Sequence, residues 1–133
     1  MKSRDTLIRL KRFQVEDRRR RLAQIERMIS EFSRMAGDLD REIANEEKRA
    51  GIADPAHFAY PTYARAAIVR RDNLKHSAGE LNGQLEDAKT RLDEALEDLH
   101  KVESLDGREK AAERASEIRM DMDGMRAGLA ASA

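Results

Sequence analysis

The sequence predicts an all-α protein: a long two-helix antiparallel coiled-coil hairpin whose C-terminal helix overhangs its partner. Three observations predict it. Two stretches carry apolar residues alternately three and four apart, the strong helix breakers gather between them, and the stretches complement each other in size and charge. The first seam runs Ile8, Val15, Leu22, Ile25, Ile29, Phe32, Ala36, Leu39, Ile43; the second runs Ala67, Leu74, Ala78, Leu81, Leu85, Ala88, Leu92, Ala95, Leu99, Val102. An average spacing of 3.5 residues keeps one narrow stripe against a partner helix. Of 133 residues, 39% are charged and only 4% aromatic, with a mean hydropathy of −0.79. That composition cannot fill a thick layered core, but a two-helix seam needs only two apolar positions per heptad. Disorder is the competing reading of such a composition, and the sustained periodicity argues against it.

From Ser3 to Ala50 there is no proline and one glycine, Gly37, among mostly Arg, Glu, Leu, Ile, Met and Ala, all reasonable helix formers. A first helix is expected over about residues 3–50. Gly51 ends it, with Lys48 and Arg49 in the last turn, a glycine stop with cations placed against the helix dipole. The bend covers about 51–62. There Asp54-Pro55 offers a cap and a proline able to open a short helical turn, and Pro61-Thr62 repeats the start signal. A second helix is expected over about 63–126, then a frayed small-residue tail over Ala127–Ala133. The whole of 1–133 reads as a single coiled-coil domain. At about 1.5 Å per residue the arms measure roughly 70 and 95 Å. Helices that long persist only when the stripe is covered, and a connection of about ten residues makes the sequence neighbour the natural antiparallel partner.

Facing residues of an antiparallel coil have numbers of constant sum. A sum of 110 pairs Ile8/Val102, Val15/Ala95, Leu22/Ala88, Ile25/Leu85, Ile29/Leu81, Phe32/Ala78, Ala36/Leu74 and Ile43/Ala67. Large faces small in most layers, as a seam of uniform width requires. Charge agrees: residues 1–21 hold 9 bases and 3 acids, and residues 80–106 hold 3 bases and 9 acids. Exposed pairs contribute little singly, but the pattern disfavours wrong registers. Lys11/Leu99, Arg18/Leu92 and Leu39/Arg71 depart from the apolar pattern. They read as long basic stems covering the seam with their heads in water; the sharper reading is a weakened end that exchanges partners. Gly79 and Gly83 fall on the outer face.

Beyond about Gly107 the register leaves no first-helix partner. Ala111, Ala115, Ile118, Met122, Met125 and Leu129 nevertheless continue an apolar stripe, offset in phase from the seam as by a stutter near Gly107. A tip of about 20 residues, roughly 30 Å, is expected to project with this stripe uncovered. Its methionines suit an adaptable surface, and an exposed amphipathic helix is a common recognition element. A frayed end, or self-association of two tips, are the plainer readings.

The opening Lys2-Ser3-Arg4-Asp5-Thr6-Leu7-Ile8-Arg9-Leu10-Lys11-Arg12-Phe13 contains a Leu-x-x-Leu-Lys-Arg start at Leu7. Together with the charged heptads, the Arg108-Glu109-Lys110 to Arg114 segment and the bend Phe58-Ala59-Tyr60-Pro61-Thr62-Tyr63, it resembles the FliJ family across essentially the whole chain. That family is the small soluble component of the flagellar type III export apparatus. The resemblance implies a non-enzymatic stalk and adaptor, similar to the central gamma subunit of rotary ATPases. Its helical termini would insert into the ring of the hexameric flagellar export ATPase, and it would engage the membrane export gate and export chaperones. It implies a cytoplasmic location at the cytoplasmic face of the flagellar basal body, peripheral to the membrane through protein contacts only. The family supplies the partner and the register supplies the residues: Arg114, Ile118, Arg119, Met122 and Met125 are expected ring contacts. Phe58, Tyr60 and Tyr63, three of five aromatics, are expected either to pack the bend shut or to form a docking surface for gate or chaperones.

Other features close off chemistry. Lys+Arg and Asp+Glu number 26 each, so no overall field draws the chain to nucleic acid or to an anionic membrane. No cysteine is present, which fits a reducing compartment. The first residues lead into charged helix without an apolar signal region, and no run of about 18 apolar residues occurs, so a soluble cytoplasmic protein is expected. His57, His76 and His100 lie too far apart along the helices to converge on a metal. No glycine-rich phosphate loop, Ser-His-Asp arrangement or carboxylate pair in a pocket is found, so no catalytic residue, cofactor or metal is expected. Arg18-Arg19-Arg20-Arg21 point around most of a helix turn and read as a solvated, internally paired face, with a secondary role against acidic groups of a ring partner. Two other functional classes stand beside the stalk: a generic coiled-coil scaffold that self-associates, and a DNA- or membrane-associated coil, which the zero net charge weakens.

Overall fold

Long proline-free runs dominated by helix formers give long continuous helices. The computed structural model describes the backbone of residues 2–132 and the side chains of residues 3–131. It contains α1, Lys2–Ala50, and α2, Thr62–Ser132, and among the described residues there is no strand. α1 stops at Gly51, whose φ is +70° and whose amide donates to the Glu47 carbonyl at 2.9 Å. This left-handed cap suits glycine because no Cβ opposes it.

The bend is built from polar turns. Asp54 Oδ1 accepts from the Ala56 amide at 3.0 Å, and the Asp54 carbonyl accepts from the His57 amide at 3.0 Å, an aspartate-initiated turn. His57 repeats the device: its Nδ1 accepts from the Ala59 amide and its carbonyl from the Tyr60 amide. Two hydrogen-bonded turns therefore stand where a short helical turn was expected after Pro55. The Pro61 carbonyl then accepts from Arg65 at 3.0 Å, opening α2 where a proline's missing N–H costs nothing.

The far end differs from expectation as well. α2 runs on through the segment expected to fray from Ala127, ending at Ser132. Ala, Met, Arg and Leu favour the helix there, and isolated glycines such as Gly124 and Gly128 each cost only about 1 kcal/mol.

The contacts fall into two compact units, and in each a stretch of α1 packs on a stretch of α2. In the unit Asp17–Leu92, the inward positions on α1 include 18, 22, 25, 29, 32, 36, 39 and 43; on α2 they include 64, 67, 71, 74, 78, 81, 85, 88 and 92. One cluster centres on Ile25, Leu81 and Ala88, with Leu22, Ile29, Phe32 and Leu85 packed on it. A second joins Leu39, Ile43 and Ala67 with Ile68 and Leu74. Polar contacts run alongside: Tyr60 to Glu47, Tyr63 to Glu42, Arg71 to Asp40 and Arg21 to Gln84. The α1 number falls as the α2 number rises.

The other unit, Met1–Glu16 with Asp93–Ala133, buries Ile8, Val15 and Ala95, with Leu99 and Val102 half-buried. Ion pairs flank these: Lys11 to Asp98 at 3.9 Å, Arg12 to Glu103 at 3.0 Å, and Arg4 to both oxygens of Glu109. Arg4 and Asp106 continue the same spacing and are also half-buried. Apolar periodicity could not register them, because both are charged. Lys11 and Arg71 behave as expected of basic stems on a seam. Each side chain is largely covered, with its head beside Asp98 or Asp40, the geometry of an aliphatic stem lying on apolar surface. Among the described residues no charged side chain is buried, and no buried side-chain nitrogen or oxygen lacks a partner.

Candidate functional site

An apolar residue on a coiled-coil helix is either in the seam or in water. From Gly107 to Ala131 every residue of α2 is exposed. Ile118 is 58% exposed, and Met120, Met122, Met125 and Leu129 are exposed with it. The five residues expected as partner contacts all sit here. Ile118, Met122 and Met125 share a stripe with Ala111, Ala115 and Leu129, and Arg114 and Arg119 flank it on opposite edges.

The phase of this stripe is larger than the expected stutter. α2 is continuous, so each residue turns about 100°. From Leu99 to Ala111 is then about 120°, and from Val102 to Ile118 about 160°. A single stutter shifts a seam by only about 40°. The stripe therefore lies on the side of α2 turned away from Leu99 and Val102. A helix continuing along the seam would cover Glu113, Glu117, Met120 and Gly124 instead. The spacing inside each run was legible in sequence; the angle between the runs required counting through the charged segment that joins them.

The bend residues separate by role. Tyr60 is 4% exposed and its hydroxyl donates to Glu47 Oε2 at 2.9 Å, with the Arg65 guanidinium 5.6 Å over its ring. Burial first, and then the bond to Glu47, raise its pKa above the ordinary tyrosine value. Tyr60 thus packs into the bend, the first of the two roles expected for these aromatics, and is not exposed as a docking surface would need. Tyr63 is exposed, donates to Glu42 Oε2 at 2.7 Å, and has its pKa raised chiefly by that bond. Phe58 is 95% exposed and stacks on His57 with ring centres 4.8 Å apart. Of the three, only Phe58 and Tyr63 are accessible.

Three of the four arginines of the run border one groove. Arg18, Arg20 and Arg21, with Arg27 and Arg91, line an open groove of about 740 Å³ in the unit Asp17–Leu92. The groove also holds Asp17 and Asp87, and Arg91 is paired with Asp87 at 3.0 Å. It has no nucleophile, and the acid–base groups present are solvated. His76 lies instead beside Glu80, at 3.1 Å. Among the described residues no group of three or more His, Asp or Glu gathers to hold a metal, and no helix is long and apolar enough to cross a membrane. On α1, Leu7, Leu10 and Phe13 of the opening segment, spaced three apart, are exposed and lie off the seam, as is Met28. Compared with protein-family models, curated proteins and solved structures, the chain matches none.

Proposed function

We propose that the chain is a non-enzymatic stalk and adaptor of the flagellar type III export apparatus. In this reading it is an antiparallel coiled-coil hairpin that inserts its helical termini into the export ATPase ring and links that ring to the export gate and chaperones. The falling and rising numbers of the α1–α2 contacts support the hairpin, and so does the cluster joining Ile25 to Leu81, Leu85 and Ala88. The observation that carries the function is the exposed stripe of Ile118, Met122 and Met125 on the side of α2 away from the seam. The resemblance of the Leu7–Arg12 start and the 108–114 segment to the FliJ family supplies the identity of the ring.

Such a stalk would act on chemistry indirectly. An asymmetric axle that touches ring subunits unequally favours different nucleotide states at different sites, which is a coupling free energy between sites. Co-purification from the native cell tests the reading, using the wild type and a variant with Ile118→Ser, Met122→Ser and Met125→Ser. The flagellar export ATPase is expected with the wild type and lost with the variant. Recovery of no such ATPase with the wild type refutes the stalk. A doubled solution mass that the same variant abolishes supports the self-associating scaffold instead.

A further inference from the structure

The tip of α2 is neutral but sorted. Residues 107–131 contain five bases and five acids. At about 100° per residue, Arg108, Arg114, Arg119 and Arg126 all fall within about 80° of the centre of the apolar stripe. Of the acids only Asp121 does; Glu109, Glu113, Glu117 and Asp123 lie beyond about 100°. None of the four guanidinium groups meets a carboxylate within ion-pair distance among the described residues. Elsewhere such pairs form readily, as Arg91 with Asp87 and Arg34 with Glu31 and Asp38. The tip therefore presents an apolar line of Ile, Met, Leu and Ala with arginine rails that Asp121 interrupts on one side, and keeps its other four carboxylates behind.

We propose that this face binds an amphipathic helix of a different protein, one whose apolar stripe is flanked by aspartate and glutamate. Three features of the face select that occupant. Arginine rails match carboxylates in charge and in bidentate geometry. A second copy of the chain fits less well. Antiparallel pairing of two stripes sets Arg119 against Arg119 and Asp121 against Asp121, like charges that disfavour the coil, while parallel pairing sets Arg114 against Arg119 and gains only Asp121 against Arg126, which leaves no net attraction at the flanks. A lipid surface fits poorly as well. The stripe is only about 80° wide, with two alanines and no aromatic residue, whereas helices that lie in a membrane interface carry a broad, bulky apolar face. Because the stripe faces away from Leu99 and Val102, the acidic helix docks without displacing α1.

The inference goes beyond the stalk reading and stands whichever protein supplies the acidic helix, so its test is independent of any ATPase. Two labelled designed peptides are titrated with the full chain by fluorescence anisotropy. Both carry leucine at the seam positions of a heptad, one with glutamate flanks and one with lysine flanks. Three rim pairs of ordinary exposed strength predict that the glutamate peptide binds about tenfold more tightly. The triple variant Arg114→Glu, Arg119→Glu, Arg126→Glu is expected to invert that preference while keeping its helical circular dichroism. Arg20→Ala with Arg27→Ala, in the groove of the other unit, is expected to leave both affinities unchanged. Equal affinity for the two peptides, no binding of the glutamate peptide, or loss of binding in the groove variant overturns the proposal. So does a concentration-dependent dimer that Ile118→Asp abolishes, or flotation of the chain with phosphatidylglycerol vesicles that the triple variant abolishes.

Discussion

Ile25 and Ile118 are the same residue type in opposite circumstances, and mutating each to alanine separates the seam from the tip. Ile25 is 2% exposed and touches a cluster drawn from both helices; Ile118 is 58% exposed. Ile25→Ala removes three carbons from full burial, a transfer loss of about 2.4 kcal/mol at about 0.8 kcal/mol per buried methylene. The cavity left behind adds about 1 kcal/mol, at the low end of measured core deletions because a two-helix seam can close from its open sides. A loss of about 3.4 kcal/mol corresponds to a fall of about 1.7 M in the urea midpoint, given a typical slope near 2 kcal/mol per molar. Ile118→Ala removes the same atoms from water-facing surface and changes stability by less than about 0.5 kcal/mol. Urea titration followed by circular dichroism reads both. If Ile118→Ala lowers the midpoint as far as Ile25→Ala, the tip stripe is packed and the docking argument fails. If Ile25→Ala shifts it by less than about 0.5 M, the seam is not what holds the helices together.

Further expectations concern the bend and the outer face. Gly51→Ala places a Cβ at a φ of +70° and is expected to cost about 1 kcal/mol in the same assay. Gly83→Ala, where an added Cβ meets nothing within 4 Å, is expected to gain up to about 1 kcal/mol; equal effects of the two substitutions would contradict the cap. The chain has two tyrosines and no tryptophan, so ultraviolet absorbance follows tyrosinate formation cleanly. Both are expected to titrate above the ordinary value of 10, with Glu47→Gln lowering the Tyr60 midpoint and Glu42→Gln that of Tyr63. Since the folded pKa of each is raised, the linked stability is complete below pH 10 and lost as pH climbs through the folded value. Tyr60→Phe is expected to flatten that alkaline loss, and an unchanged pH profile would argue against the Glu47 contact.

Much of the helical architecture is visible in the residue pattern because a seam is a local, repeating demand. Ile25, Leu81 and Ala88 are apolar at the required spacing, and each is buried. Gly51 and the Pro61-Thr62 pair mark helix ends through backbone rules that act within one or two residues. What escaped has a shared cause: it depends on side-chain reach or on accumulated angle. Arg4 and Asp106 lie on the seam although their charges hide them from an apolar count. Arg18, Arg20 and Arg21 border one open groove with Arg27 and Arg91, a neighbourhood that spans both helices and that sequence spacing does not display. The stripe on the α2 tip carries the right spacing, but its direction follows from turning through residues 103–110, which hold little apolar signal. Which of the bend aromatics packs and which is exposed was not legible, because nothing in the sequence pairs Tyr60 with Glu47 thirteen residues earlier.

The Ile25 cluster also sets a delay during synthesis. Its bulky residues Leu22, Ile25, Ile29 and Phe32 emerge from the ribosome before Leu81, Leu85 and Ala88, which cover them. Ala88 follows Ile25 by 63 residues, and at about 5–20 residues per second that interval lasts roughly 3–13 s. For that time the face of α1 around Ile25 lacks the residues of α2 that cover it in the folded chain.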